Sequence, residues 1–121
     1  EYGEPVVLWG DGYQKRELVL VDDFVQILWQ LAEKFDNEIF NIGAGEEYSI
    51  RTFAESICNA VGYPAENIQY DTSRYVGAKS KCLNVEKIKA AIPDYSLQPL
   101  DVGLKKTIEW FYETGAFRLS H

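Results

Sequence analysis

Val6-Val7-Leu8-Trp9-Gly10-Asp11-Gly12-Tyr13-Gln14-Lys15-Arg16-Glu17-Leu18-Val19-Leu20-Val21-Asp22-Asp23 starts on a β-favouring run, breaks at two glycines, resumes in a second apolar run and ends on a carboxylate pair. Residues 6–9 read as a strand, and Gly10-Asp11-Gly12 supplies residues suited to a reversal. The second run predicts a strand over 17–21, so the connection is either a β-hairpin or a wide loop. Asp22 or Asp23 is expected to cap a helix, because a short carboxylate accepts from the orphan N–H groups of a first turn. Phe24, Ile27, Leu28, Leu31 and Phe35 then recur at helical spacing, which predicts an amphipathic helix over 22–35.

The same reading continues outward. Residues 38–42 (Glu-Ile-Phe-Asn-Ile) suggest a short strand running into Gly43-Ala44-Gly45. Ser49 is a natural N-cap for a helix whose stripe is Ile50, Phe53, Ala54, Ile57, Cys58 and Val61, with Gly62 as its left-handed stop and Pro64 just beyond. Residues 67–70 suggest another strand and 71–81 a polar loop. Residues 85–91 suggest a short helix ending before Pro93. The last helix is expected from about Pro99 to Gly115, turning Leu100, Leu104, Ile108 and Phe111 inward. Strands interleaved with helices indicate a mixed α/β fold. No repeat or Pro/Ser-rich linker interrupts the pattern, so 1–121 is expected to form one domain.

With 121 residues, 46% hydrophobic, the chain is long enough to bury a core and has no apolar run approaching the ~20 residues of a membrane helix. A net charge of −7 argues against general nucleic-acid binding, which needs Lys and Arg in surplus. Cys58 and Cys82 are too few for a disulfide framework, so a reducing, cytoplasmic setting is expected. His121 is the only histidine, at the chain end, which disfavours a Ser-His or Cys-His pair and removes any multi-His metal site. The opening Glu1-Tyr2-Gly3-Glu4 carries neither initiator methionine nor targeting pattern, and the expectation is a piece of a longer protein.

Three constellations bear on chemistry. Gly43-Ala44-Gly45 has the strand-turn-helix setting of a dinucleotide fingerprint. Position 48 is Tyr48 where a third glycine is needed, and Glu46 and Glu47 would repel phosphates, so a tight turn is the better reading. Between Asp71 and Glu86 there is no acidic residue, while Arg74, Lys79 and Lys81 occur beside the small Gly77 and Ala78. Arg16 adds a planar fork suited to bidentate phosphate contact. Solvated surface cations are the competing reading of each. Trp9, Tyr13, Tyr70 and Tyr75 offer flat faces on which a base could stack, core packing being the competing reading for Trp9. Asp22 and Asp23 are more cheaply explained by helix capping than by acid-base work. The residues alone supply no catalytic base or nucleophile and no metal site.

The order Trp9-Gly10-Asp11-Gly12, Arg16-Glu17-Leu18 and Val21-Asp22-Asp23, followed by Phe40-Asn41-Ile42-Gly43-Ala44-Gly45, Ser49-Ile50 and Ala60-Val61-Gly62-Tyr63, resembles the extended short-chain dehydrogenase/reductase family of nucleotide-sugar epimerases, dehydratases and reductases. The likeness runs from about Val6 to Glu113 and is strongest to the GDP-L-fucose synthases, NADP-dependent 3,5-epimerase/4-reductases that share W-G-x-G, three residues, then R-E. It implies the small C-terminal substrate-binding domain of a Rossmann-type enzyme, with the Rossmann core, its glycine-rich NAD(P) turn and its Tyr-x-x-x-Lys pair outside this chain. It further implies no catalytic and no cofactor-binding residue here, NADP or NAD in the full-length enzyme only, and an isolated chain that is inactive. Trp9 and Arg16 fall on positions that contact the nucleotide sugar, Arg16 near the pyrophosphate. Where the fucose synthases read approximately S-K-x-D-G-x-P-R-K-x-L-D, this chain has Ser73-Arg74-Tyr75-Val76-Gly77-Ala78-Lys79-Ser80-Lys81-Cys82-Leu83-Asn84. Val76 replaces the family aspartate and Ser80 the arginine, with Lys79 or Lys81 as the displaced charge. The expected partners are a nucleotide-diphosphate sugar, GDP-sugar favoured, the missing Rossmann domain, and a second copy in a full-length homodimer, but neither nucleic acid nor membrane. The alternatives are a UDP- or dTDP-sugar enzyme and a non-catalytic module that binds a nucleotide sugar or a protein.

Overall fold

A computed structural model describes residues 5–115; His121 and Glu1-Tyr2-Gly3-Glu4 lie outside the described residues. The chain divides into two compact units, one formed by residues up to Glu17 together with Glu46–Lys81, the other by Leu18–Gly45 together with the chain from Cys82 onward.

In the first unit, strand β1 (Val7–Trp9) pairs in parallel with β4 (Gln69–Asp71), with Leu8 opposite Tyr70. Parallel neighbours need a long crossover, which here includes helix α2 (Ile50–Val61). The two-residue strand β2 (Lys15–Arg16) pairs antiparallel with β3 (Tyr48–Ser49), Lys15 opposite Ser49 and Arg16 opposite Tyr48. The region after β1 is therefore the wide loop, because β1 and β2 pair with different strands. The strand expected over 17–21 is absent. The ladder ends at Arg16, opposite Tyr48, the first residue of β3, so residues 17–21 have no strand to pair with.

Local signals set α2. Ser49 Oγ accepts from the Thr52 N–H at 3.0 Å, and Gly62 closes the helix at φ 71°. Its inward residues Phe53 and Cys58, with Ile68, are the buried apolar side chains among the described residues of this unit. Tyr48 packs edge-on against Phe53 with ring centroids 6.1 Å apart.

In the second unit, α1 (Val21–Lys34) buries Ile27 and Leu31 against Val85, Ile88 and Ile92, with Phe35, Phe40, Ile42, Tyr95 and Leu97 around them. The expected cap is corrected. Leu20 is the N-cap residue and makes no side-chain cap bond, while Asp22 and Asp23 lie inside the first turn. Asp23 is buried, and its carboxylate accepts from the Gln98 backbone N–H at 2.7 Å and from Gln98 Nε2 at 3.0 Å. It therefore ties a distant segment to the helix start. Residues 38–42 form no strand. Side chains replace the ladder: Lys87 Nζ donates to the Glu38 carboxylate at 2.6 Å and to the Ile39 carbonyl at 2.9 Å, and Asn41 Nδ2 donates to the Asn84 carbonyl at 3.0 Å.

Helix α3 (Glu86–Ala91) supplies Ile88, the most buried core residue at 1% exposure. Helix α4 (Leu100–Thr114) ends at Gly115 with φ 63°. Its expected inward stripe is only partly covered. Leu100, Leu104 and Ile108 are half-buried, Phe111 is exposed, and no described residue of α4 is buried. Among the described residues, no helix is long and apolar enough to cross a membrane.

Candidate functional site

All five residues singled out by sequence for ligand binding, Trp9, Arg16, Arg74, Lys79 and Lys81, belong to the first unit. Strand β2 sets Arg16 beside the 76–79 loop, because the Lys15 N–H donates to the Lys79 carbonyl at 2.8 Å and carries the chain alongside. The Arg16 guanidinium donates from Nη1 to the carbonyls of Lys15 (2.6 Å) and Ala78 (2.8 Å), and from Nη2 to the Val76 carbonyl (3.4 Å). Every one of these acceptors is neutral. The guanidinium thus pins the loop without its charge being cancelled, and with five N–H donors it keeps some for a ligand.

Trp9, at the end of β1, is 60% exposed, so core packing does not account for it. The Arg74 guanidinium lies 5.4 Å from its ring centroid while Arg74 Nε bonds Asp71 Oδ2 at 3.1 Å. Asp71 Oδ1 also accepts from the Ser73 N–H and hydroxyl, at 3.0 and 2.5 Å. These bonds favour the carboxylate, so the Asp71 pKa is lowered, the Ser73 hydroxyl contributing most and its backbone N–H next, with Arg74 adding to them. Lys79 and Lys81 are exposed, and their ammonium groups enter no ion pair among the described residues. Ser80, at the family's arginine position, donates to the Glu47 carboxylate at 2.7 Å. Val76, at the aspartate position, sets its Cγ1 where a side chain on Gly10 would stand.

The remaining aromatic expectations divide. Tyr75 is exposed. Tyr13 and Tyr70 instead face a cation that sequence reading missed: the Arg51 guanidinium carbon lies 4.7 Å from the Tyr13 centroid and 3.9 Å from that of Tyr70. Arg51 Nε donates to the Asp11 carbonyl at 2.7 Å. A signal for it was available, because a cation in a first helical turn opposes the helix dipole and calls for other partners. The phenol of Tyr48 has its pKa raised, mainly by a hydrogen bond with the Glu46 carboxylate, with burial and the Glu46 charge adding to it.

Gly43-Ala44-Gly45 does not fit a dinucleotide. The Tyr95 hydroxyl donates to the Gly43 carbonyl at 2.6 Å and accepts from the Gly43 N–H at 3.1 Å, so the turn's polar groups serve the fold. A side chain on Gly45 would meet Val85 Cγ2 at 2.6 Å, and the next helix begins only at Ile50. A concavity of about 940 Å³ in the first unit is lined by Leu8, Ala54, Ile57, Cys58, Val61 and Ile68 among others and includes none of the five selected residues. Among the described residues no group of His, Cys, Asp and Glu side chains could hold a metal ion.

The strand-loop-helix order and the Trp9–Arg16 stretch define a class. The model of the NAD-dependent epimerase/dehydratase family matches residues 1–43, and the chain is similar over nine-tenths of its length to enzymes of that class, the extended short-chain dehydrogenases/reductases. A dTDP-4-dehydro-6-deoxy-D-allose reductase from a Streptomyces species is 37% identical over 109 residues, covering 90% of this chain and 33% of the relative. A GDP-L-fucose synthase from Azorhizobium caulinodans is 29% identical over 116 residues, covering 93% of this chain and 36% of the relative. The crystal structure of a UDP-glucose 4-epimerase from Thermotoga maritima, with UDP-glucose, superposes with a TM-score of 0.81 at 33% identity, over 93% of this chain and 36% of that one. The chain thus spans about a third of the length of the relatives it matches.

Proposed function

We propose that this chain is the nucleotide-diphosphate-sugar-binding part of an NAD(P)-dependent epimerase/reductase, and that Arg16 meets the substrate's pyrophosphate. The observation that carries this reading is the way the arginines are held. Arg16 is bonded to three carbonyls and Arg51 to one carbonyl and two ring faces; of these three guanidiniums, only that of Arg74 forms an ion pair with a carboxylate among the described residues. Among the described residues an acidic chain thereby leaves the Arg16 and Arg51 guanidiniums without a carboxylate partner, Arg16 beside a loop that carries no acid of its own, which is what recognition of a compact dianion needs. Lys79 and Lys81 add exposed positive charge, and Trp9 with Arg74 offers a flat, cation-backed face to the base.

The hydride chemistry and the proton-transferring residues belong to the two-thirds of the relatives' length that this chain does not span, where NAD(P) would be held. The isolated chain is accordingly inactive. GDP-L-fucose synthase is the likeness that the motif order favours; the higher identity to a dTDP-sugar reductase favours a second reading in which the base is thymine.

The test is Arg16→Ala in the full-length protein, assayed with GDP- and dTDP-4-keto-6-deoxy sugars. Losing one charge-assisted contact worth about 1.5–3 kcal/mol raises KM by roughly one to two orders of magnitude with kcat much less changed. An unchanged KM would refute the pyrophosphate assignment, and the nucleotide turned over would choose between the two bases.

A further inference from the structure

Arg51 is the one guanidinium of the first unit placed on a helix, and its partners all come from segments around the loop that precedes Arg16. Its side chain lies between the Tyr13 and Tyr70 rings, and its Nε donates to the Asp11 carbonyl. Its own backbone N–H donates to the Gly12 carbonyl at 3.1 Å, and the neighbouring Ile50 N–H donates to the Gln14 carbonyl at 3.0 Å. Gly12 is buried with φ 77°, and a side chain there would lie 2.7 Å from Tyr70 Cε1 and 2.8 Å from Arg51 Cγ. Residues 11–14 are therefore bound at successive positions to the start of α2, and the next residues are β2 itself.

We infer that Arg51 is a positioning residue: it fixes the 11–14 loop on α2 and so sets where β2 presents Arg16 to an anionic ligand. The inference rests on the proposed role of Arg16. A guanidinium suits the task because it stacks on two faces while donating in its own plane. Lysine keeps the charge between the rings but loses the planar donor. Glutamine loses the charge.

Two measurements on the full-length protein separate this inference from the reading it rests on. First, nucleotide-sugar KM and kcat are compared for wild type, Arg51→Lys and Arg51→Gln, with melting temperatures as a control. The expected result is a KM raised about tenfold in Arg51→Gln, in line with the loss of two ring contacts and one hydrogen bond, partial recovery in Arg51→Lys, and kcat little changed. Second, amide exchange is followed without ligand at Tyr13, whose N–H bonds Asp11 Oδ1 at 2.9 Å, and at Lys15. Faster exchange there in Arg51→Gln is expected. If wild type turns over no nucleotide sugar, the proposed function fails, and exchange alone judges Arg51. Unchanged exchange at both amides overturns the inference, as does a KM within twofold of wild type in an active enzyme.

Discussion

Gly10 is where the structure makes its sharpest demand on the candidate site. It closes β1 at φ 83°, donates its N–H to the Asp71 carbonyl at 2.8 Å, and leaves room for Val76 Cγ1 where its own side chain would be. Gly10→Ala imposes two separable costs. The left-handed backbone disfavours alanine by about 1–2 kcal/mol. The overlap with Val76 adds roughly 1–2 kcal/mol, at the lower end of what overpacking costs, because Val76 sits on a loop and is only half-buried. The total is about 2–4 kcal/mol. Val76→Ala alone removes two half-buried methyl groups and costs about 1 kcal/mol. In the double variant the overlap is gone and the backbone strain remains, so the two changes together cost about 1–2 kcal/mol less than their sum. Native-state amide exchange at Gln69, whose N–H bonds the Val6 carbonyl at 2.9 Å, reads the opening energy of this unit. Additivity within about 0.5 kcal/mol would show that Val76 does not fill the Gly10 space.

Two further outcomes test other parts of the molecule. Asp23→Ala leaves the half-buried Gln98 backbone N–H and side-chain amide without their acceptor and destabilises the second unit by about 1–2 kcal/mol; a loss under ~0.5 kcal/mol in a urea titration would contradict that bonding. Asp71 has a pKa lowered in the folded chain, so its stabilisation of the 71–74 turn is full above the unfolded pKa and fades as pH falls through the folded one. Amide exchange at Ser73, corrected for intrinsic rates, accordingly shows protection that declines in acid, and the decline disappears in Asp71→Asn.

What the sequence made readable was whatever one segment decides by itself. Ser49 and Gly62 bracket α2 within a residue because both act on the helix they terminate. The spacing of Ile27 and Leu31 places them in the core for the same reason. The misplaced strands share the opposite cause. A strand exists only where a partner edge is offered, so 17–21 and 38–42 have strand composition but no ladder, and two unremarkable residues, Lys15 and Arg16, have one. Asp23 followed the same rule, since its real partner, Gln98, is far along the chain.

The candidate site was half legible on this principle. Trp9 and Arg16 stand in a recognisable motif, and the acid-free stretch drew attention to Arg74, Lys79 and Lys81. No local pattern could say that Arg16 would meet backbone carbonyls rather than carboxylates, or that Tyr13 and Tyr70 would close on Arg51. Those pairings decide the electrostatics. The chain carries 19 acidic residues against 12 basic ones, enough to neutralise every arginine if they met. At Arg16 and Arg51, among the described residues, they do not: carbonyl oxygens and ring faces hold the guanidiniums in place while leaving the charge available. A net charge of −7 and an anion-binding site are therefore compatible, because affinity for a small dianion depends on which charges the fold leaves unpaired and not on their sum.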